Sequence, residues 1–171
     1  MKSVKLITML FVLIYGSGLW VTANGQEKTK SAETKWYTLE EAQKLAAESD
    51  QDKLIMLFVE AEWCGICKEM HKRVFPEADV AALMNSGFLP VTLDLDSREP
   101  VTYFDTELTE RELARKLNVQ ATPTTIFIDR SGEALANHRG WLDTDDLTAL
   151  LTFMHSEKFG EIDFDEFRDK F

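Results

Sequence analysis

An α/β domain, with a central mixed β-sheet flanked by helices, is the fold class this sequence predicts. Three observations lead there. Residues 53–59, Lys-Leu-Ile-Met-Leu-Phe-Val, show no polar alternation after the lysine and read as a strand buried on both faces. Segments of helical period alternate with short strand-like runs through most of the chain, the pattern of helices layered on a sheet. Near the end, residues 124–129 and 133–139 flank the turn Arg130-Ser131-Gly132 and read as a hairpin, which adds antiparallel pairing.

Taken in order, Met1 to Lys5 is a basic segment and residues 6–20 are apolar, broken by Gly16, Ser17 and Gly18; Val21-Thr22-Ala23 follows with residues a signal peptidase reads. The expectation is a signal peptide over 1–23, cleaved after Ala23, and export to the periplasm or another extracytoplasmic space. The apolar run is short for a spanning helix, and no cysteine follows it to carry a lipid. Residues 24–34 are polar and are expected to be a flexible leader. The domain is placed at 35–157, and 158–171 is read as an acidic, aromatic tail.

Within the domain, Trp36 and Tyr37 suggest a short edge strand. Thr38-Leu39-Glu40-Glu41 is a capping box that opens a helix to Glu48, with Leu39, Ala42, Leu45 and Ala46 on one face. The buried strand follows, and then a helix with apolar positions at Cys67, Met70 and Val74. Pro76 suits the first turn of a further helical piece with Val80, Leu83 and Met84 inward, ended by Asn85-Ser86-Gly87. Residues 89–94 read as a strand with Pro90 at its start. Residues 97–108 have no clear period and read as a long loop pinned by Tyr103 and Phe104. Thr109-Glu110-Arg111-Glu112 is a second capping box. After the hairpin, Asp143 caps a helix that buries Leu147, Leu150, Leu151 and Met154. In the tail, Phe164, Phe167 and Phe171 have helical spacing and are read as a short helix packed on its own domain.

The chain has 171 residues and a formal charge of −11; loss of Lys2 and Lys5 with the signal leaves −13. One domain is the right size for what remains. So acidic a surface argues against nucleic acid and anionic lipid as partners. No cofactor is expected, and the protein is expected to be a monomer.

Cys64 and Cys67 are the only cysteines. They fall where the buried strand turns into a helix, and residues at i and i+3 share a helix face, close enough for a short disulfide. Cys64 lies at the helix start, where free N–H groups and the macrodipole favour a thiolate. A bridge over so short a loop restrains the unfolded chain only slightly, so a reactive pair explains the spacing better than a stabilising one. His71 stands four residues on, and Cys64, Cys67 and His71 could supply three metal ligands from one helix. No fourth ligand is evident, and a solvated helix face is the expectation for His71, as a surface position is for His138 and His155. Asp94-Leu95-Asp96 resembles the start of a calcium loop but lacks the glycine its turn needs.

Trp63-Cys64-Gly65-Ile66-Cys67-Lys68, together with Ala121-Thr122-Pro123-Thr124 some two helices later and Gly140 at the hairpin end, resembles the thioredoxin superfamily. Within it, the chain is similar to exported thioredoxin-like proteins and to the C-terminal domain of envelope thiol:disulfide interchange proteins, over roughly residues 36–155. The resemblance implies a thioredoxin fold and a thiol:disulfide oxidoreductase. Cys64 would be the exposed nucleophile and Cys67 the buried resolving thiol. Trp63 would pack beside the pair, Pro123 would follow a cis peptide bond, and the backbone of Thr122 would align the substrate. Partners would be disulfide-containing proteins, with a membrane-embedded dithiol as electron donor. Two departures stand out. Phe58 occupies the position of the family's buried carboxylate, for which Glu60, Glu62 or His71 could substitute. The dipeptide Gly65-Ile66 carries neither the His of strong oxidants nor the Pro of cytosolic thioredoxin, which leans toward a reductase. The alternatives are a Cys/His metal site or a redox-inert binding module on the same fold.

Overall fold

The computed structural model describes residues 33–50 and 52–170. The expected signal peptide and most of the expected leader lie outside the described residues. The elements run α1 (Leu39–Glu48), β1 (Leu54–Glu60), α2 (Gly65–Arg73), α3 (Ala78–Gly87), β2 (Phe88–Asp94), β3 (Pro100–Tyr103), β4 (Thr106–Thr109), α4 (Glu110–Lys116), β5 (Thr124–Ile128), β6 (Ala134–Arg139), α5 (Thr144–Met154) and α6 (Phe164–Arg168).

Four strands form the central sheet in the order β2-β1-β5-β6. β1 runs parallel to β2 and antiparallel to β5, and β5 is antiparallel to β6, so the sheet is mixed. The unbroken apolar run of β1 follows from its central place. Ile55, Leu57 and Val59 face a core shared with α1, α4 and β2, while Met56 and Phe58 face another shared with α2, α3 and α5. A strand covered on both faces has no solvent side on which to alternate.

Both predicted capping boxes form. Thr38 Oγ1 accepts from Glu41 N–H and Thr109 Oγ1 from Glu112 N–H, while each glutamate carboxylate accepts from the backbone N–H of its threonine. Asp143 caps α5 through Asp146 N–H at 2.9 Å. The Thr109 backbone and hydroxyl hold the Glu112 carboxyl below its ordinary 4.5.

Several local expectations are corrected. Leu45 is 38% exposed, because α1 buries Leu39, Ala42 and Ala46 instead. Pro76 lies in the turn before Glu77, the residue preceding α3, rather than in its first turn. α3 includes Gly87, and β2 follows without a connecting loop. Tyr37 makes a single bridge to Val91 rather than a strand. Residues 97–108 are no structureless loop: β3 and β4 form a two-stranded antiparallel hairpin. Its tip is pinned by Tyr103 Oη–H donating to Gly132 O at 2.7 Å. Thr34, assigned to the leader, is buried and its hydroxyl donates to Phe75 O at 2.7 Å.

Pro90 sits inside β2 rather than at its start. Its carbonyl accepts from Tyr37 N–H at 2.9 Å on the side away from β1. Backbone N and O of one strand residue point the same way, so the missing N–H also faces outward, where the ladder to β1 does not need it. α6 packs on α5, with Phe164 and Phe167 ring centroids 5.8 and 5.1 Å from that of Phe153; Phe171 lies outside the described residues.

Candidate active site

The site lies where the C-terminal end of β1 passes into α2. Ala61 O accepts from Cys64 N–H at 2.9 Å, which closes a tight turn and delivers Cys64 to the capping position of α2. There Cys64 Sγ accepts from Cys67 N–H at 3.1 Å. Cys64 and Cys67 are joined by a disulfide, with Cα atoms 5.3 Å apart. Sulfur at a helix start receives an N–H donor and the positive end of the dipole, both of which favour a thiolate once the bond is reduced.

Cys64 is 5% exposed and Cys67 fully buried. Against the expectation of an exposed nucleophile, Cys64 is buried in this disulfide-bonded form, as Cys67 is. The reason is packing, since both cysteines belong to the same buried cluster as Phe58, Met70 and Phe127.

Trp63, by contrast, is 68% exposed. Its indole Nε1–H donates to Asp96 Oδ2 at 2.7 Å, and Arg111 Nη2–H donates to Asp96 Oδ1 at 3.1 Å and to its carbonyl at 3.2 Å. The ring is therefore held from the side, by the loop after β2 and by α4, and not by burial. Asp96 is thus a tether for Trp63, a role that the abortive calcium-loop pattern concealed. Under the same loop, burial pushes the Glu110 carboxyl above its ordinary 4.5, against hydrogen bonds from Ser97 and the Asp94 backbone.

The third strand of the site is β5. Val59 pairs with Thr124 at the start of β5, so Thr122 and Pro123 directly precede the residue paired with the end of β1. The Thr122–Pro123 peptide bond is cis. Thr122 Oγ1 is buried and makes no hydrogen bond. Pro123 O accepts from Gly140 N–H at 2.9 Å, which ties the loop after β6 to this corner. Because β1 and β5 are antiparallel, the turn that carries Trp63, Cys64 and Cys67 and the segment that carries Thr122 and Pro123 lie at the same end of the sheet.

His71 departs from the expected solvated face. Its Nε2 lies 2.8 Å from Glu60 Oε2, and its ring packs at 5.1–5.5 Å from Trp36, Phe58 and Phe75. Glu60 and His71, with Ala61, Glu62, Lys68, Lys72 and Asp94, line a cavity of about 520 Å³ beside the cysteine helix. Among the described residues no cluster of three His, Cys, Asp or Glu side chains is placed to hold a metal ion.

A family profile described as a thioredoxin-like domain matches residues 39–155. This chain belongs to the thioredoxin-like family. Among curated relatives, the thiol:disulfide interchange protein DsbD of Colwellia psychrerythraea is 32% identical over 147 residues, which is 81% of this chain and 22% of that protein. DsbD of Vibrio cholerae is 32% identical over 119 residues, 69% of this chain and 18% of the relative. The chain thus spans about a fifth of the relatives it matches. Of solved structures, a putative disulphide-isomerase from Bacteroides thetaiotaomicron superposes with a TM-score of 0.55 at 30% identity, covering 72% of this chain and 93% of that one. A thioredoxin from Thermus thermophilus superposes at 0.60 and 24% identity, covering 75% and 91%, and agrees in fold. In this thioredoxin-like chain, no helix among the described residues is long and apolar enough to cross a membrane.

Proposed function

We propose that the protein is a thiol:disulfide oxidoreductase, exported behind a signal peptide cleaved after Ala23 and working as a reductase of protein disulfides. The observation that carries this reading is the Cys64–Cys67 disulfide at the first turn of α2, with Cys64 as the cap. In the reduced protein the Cys64 thiolate attacks one sulfur of a client disulfide. That bond breaks, the other client sulfur leaves as a thiolate and takes up a proton, and a mixed disulfide joins Cys64 to the client. Cys67, deprotonated, then attacks Cys64 Sγ. The second client thiol is released and the protein disulfide closes, so two electrons pass from the dithiol to the client. Renewed activity requires a donor dithiol, for which a membrane-embedded protein is proposed; the similarity to thiol:disulfide interchange proteins supports that choice.

The buried Cys67 must lose its proton, and Phe58 cannot accept it. His71 follows Cys67 by four residues on the same helix face and pairs with Glu60, which gives a histidine–carboxylate pair a route to the adjoining cavity. His71→Phe keeps the ring packing and removes the base. It is expected to slow resolution of a preformed mixed disulfide at neutral pH by about a hundredfold, within the usual range for a general base. Stopped-flow release of a fluorescent client thiol measures this, and an unchanged rate would assign the proton elsewhere.

Direction is tested by the reduction potential. The helix start favours the Cys64 thiolate, but Gly65-Ile66 adds no cation to it. The pair is therefore expected nearer thioredoxin's roughly −270 mV than the approximately −120 mV of a strong oxidant, a separation of about 7 kcal/mol. Equilibration against glutathione buffers reads it. A value near the oxidant's would overturn the reductase direction while leaving disulfide exchange in place.

A further inference from the structure

We propose that Trp36 is a positioning residue for the resolution step, pressed on His71 by the strap of residues 33–37 so that the imidazole stays on Glu60. The inference rests on the reading of His71 as the base for Cys67 and adds the group that aims it.

The strap is tied down along its whole length. The Asn85 side chain donates to Glu33 O at 3.0 Å and accepts from Lys35 N–H at 2.9 Å. Between them the Thr34 hydroxyl donates to Phe75 O at 2.7 Å, and at the far end Tyr37 N–H donates to Pro90 O at 2.9 Å. α3, the residue after α2 and β2 are thereby all engaged by one short segment. What the segment delivers is the Trp36 indole, 5.2 Å from the His71 ring and edge-on to Phe75 at 5.2 Å.

His71 sits between two cavities. On one side the strap closes a space of about 170 Å³ lined by Glu33, Thr34, Trp36, His71, Phe75 and Pro76. On the other lies the cavity of about 520 Å³ shared with Glu60, Lys68 and Asp94. Phe58 and Phe75 meet the imidazole edge-on from the core, at 5.5 and 5.1 Å, and Trp36 closes the remaining side. Side chains that are not packed exchange rotamers freely, so without the indole the imidazole gains the smaller cavity as a second place to go. Held where it is, its Nε2 lies 2.8 Å from Glu60 Oε2. An ionised carboxylate only accepts, so Nε2 carries the hydrogen of the neutral ring and Nδ1 is left to take a proton. The step then balances. The Cys67 thiol gives its proton to Nδ1, its thiolate attacks Cys64 Sγ, and the client sulfur leaves with the bonding pair and takes up a proton from solvent. A base that turns away serves this step only for the fraction of time it is aimed.

The test uses the full chain carrying a fluorescent peptide on Cys64 as a mixed disulfide, loaded at acid pH and started by a jump to neutral pH in stopped flow. Trp36→Ala is expected to slow peptide release about tenfold, and Trp36→Phe to restore most of the rate. In the His71→Phe background Trp36→Ala is expected to change nothing further. A residue that acts through His71 gives that non-additivity, and one that only supports the fold does not. Alkylation of the reduced Cys64 by iodoacetamide, which does not use His71, is expected to keep its wild-type rate and reports that the site is folded. Where Trp36→Ala fails to fold, Trp36→Leu, which fills the space without a ring, enters the same cycle. An unchanged release rate in the Trp36 variant, a loss that multiplies with that of His71→Phe, or an equal loss in alkylation overturns the positioning role and leaves His71 as the base. An unchanged rate in His71→Phe alone overturns the base assignment and this inference with it.

Discussion

Cys67→Ser is expected to arrest the protein as a mixed disulfide through Cys64, with steady-state reduction of protein disulfides falling below detection. The attacking sulfur keeps its capping position and its backbone donor, the N–H of residue 67, because serine retains that N–H. What is lost is the thiol that closes the bond, so the first client thiol is released and the second is not. Cys64→Ser should instead give no client adduct at all. Non-reducing electrophoresis with mass spectrometry distinguishes the two. Accumulation of the adduct in the Cys64 variant, through Cys67, would reverse the assignment of nucleophile and resolver.

Phe58→Ala is expected to cost about 3–5 kcal/mol in urea unfolding, the range for removing a buried phenylalanine. The side chain is fully buried in the central strand, and its ring lies edge-on at 4.9 Å to Phe75 and 5.5 Å to His71. Set against a typical domain stability of roughly 5–15 kcal/mol, such a loss takes about a fifth of the total or more. A loss under about 1 kcal/mol would show that the surrounding rings close the gap and that Phe58 is not the keystone of that cluster.

The contrast between these residues explains what was legible beforehand. β1, α2 and the pairing of Cys64 with Cys67 rest on adjacent residues: an apolar run, a cap and a spacing of three. The boxes at Thr38 and Thr109 are equally local and were readable for the same reason. Tertiary partners decided the rest. The hairpin of β3 and β4 has no alternation of its own, and Gln43 Nε2–H reaches it from α1, donating to Thr102 O at 2.7 Å. His71 is polar and looks solvated until Glu60, Trp36 and Phe75 arrive from other elements. Asp96 finds Trp63 across 33 residues of sequence. Trp141 offered one readable signal, an aromatic after the hairpin glycine, but its place beside Ile66 on one groove is visible only in the fold.

Pro90 bears on how the sheet is kept from pairing with other chains. An open sheet has two edges to offer to any extended segment seeking a strand to join. Along β2 the outward row of donors is broken at Pro90, and Tyr37 already occupies the adjoining acceptor. At the other edge, β6 carries a register irregularity where it opposes Phe127 and Ile128, and exposes Asn137 and Arg139. Neither edge presents an uninterrupted ladder. An extended segment of another chain therefore finds no unbroken edge to join, and the sheet is guarded against edge-to-edge aggregation.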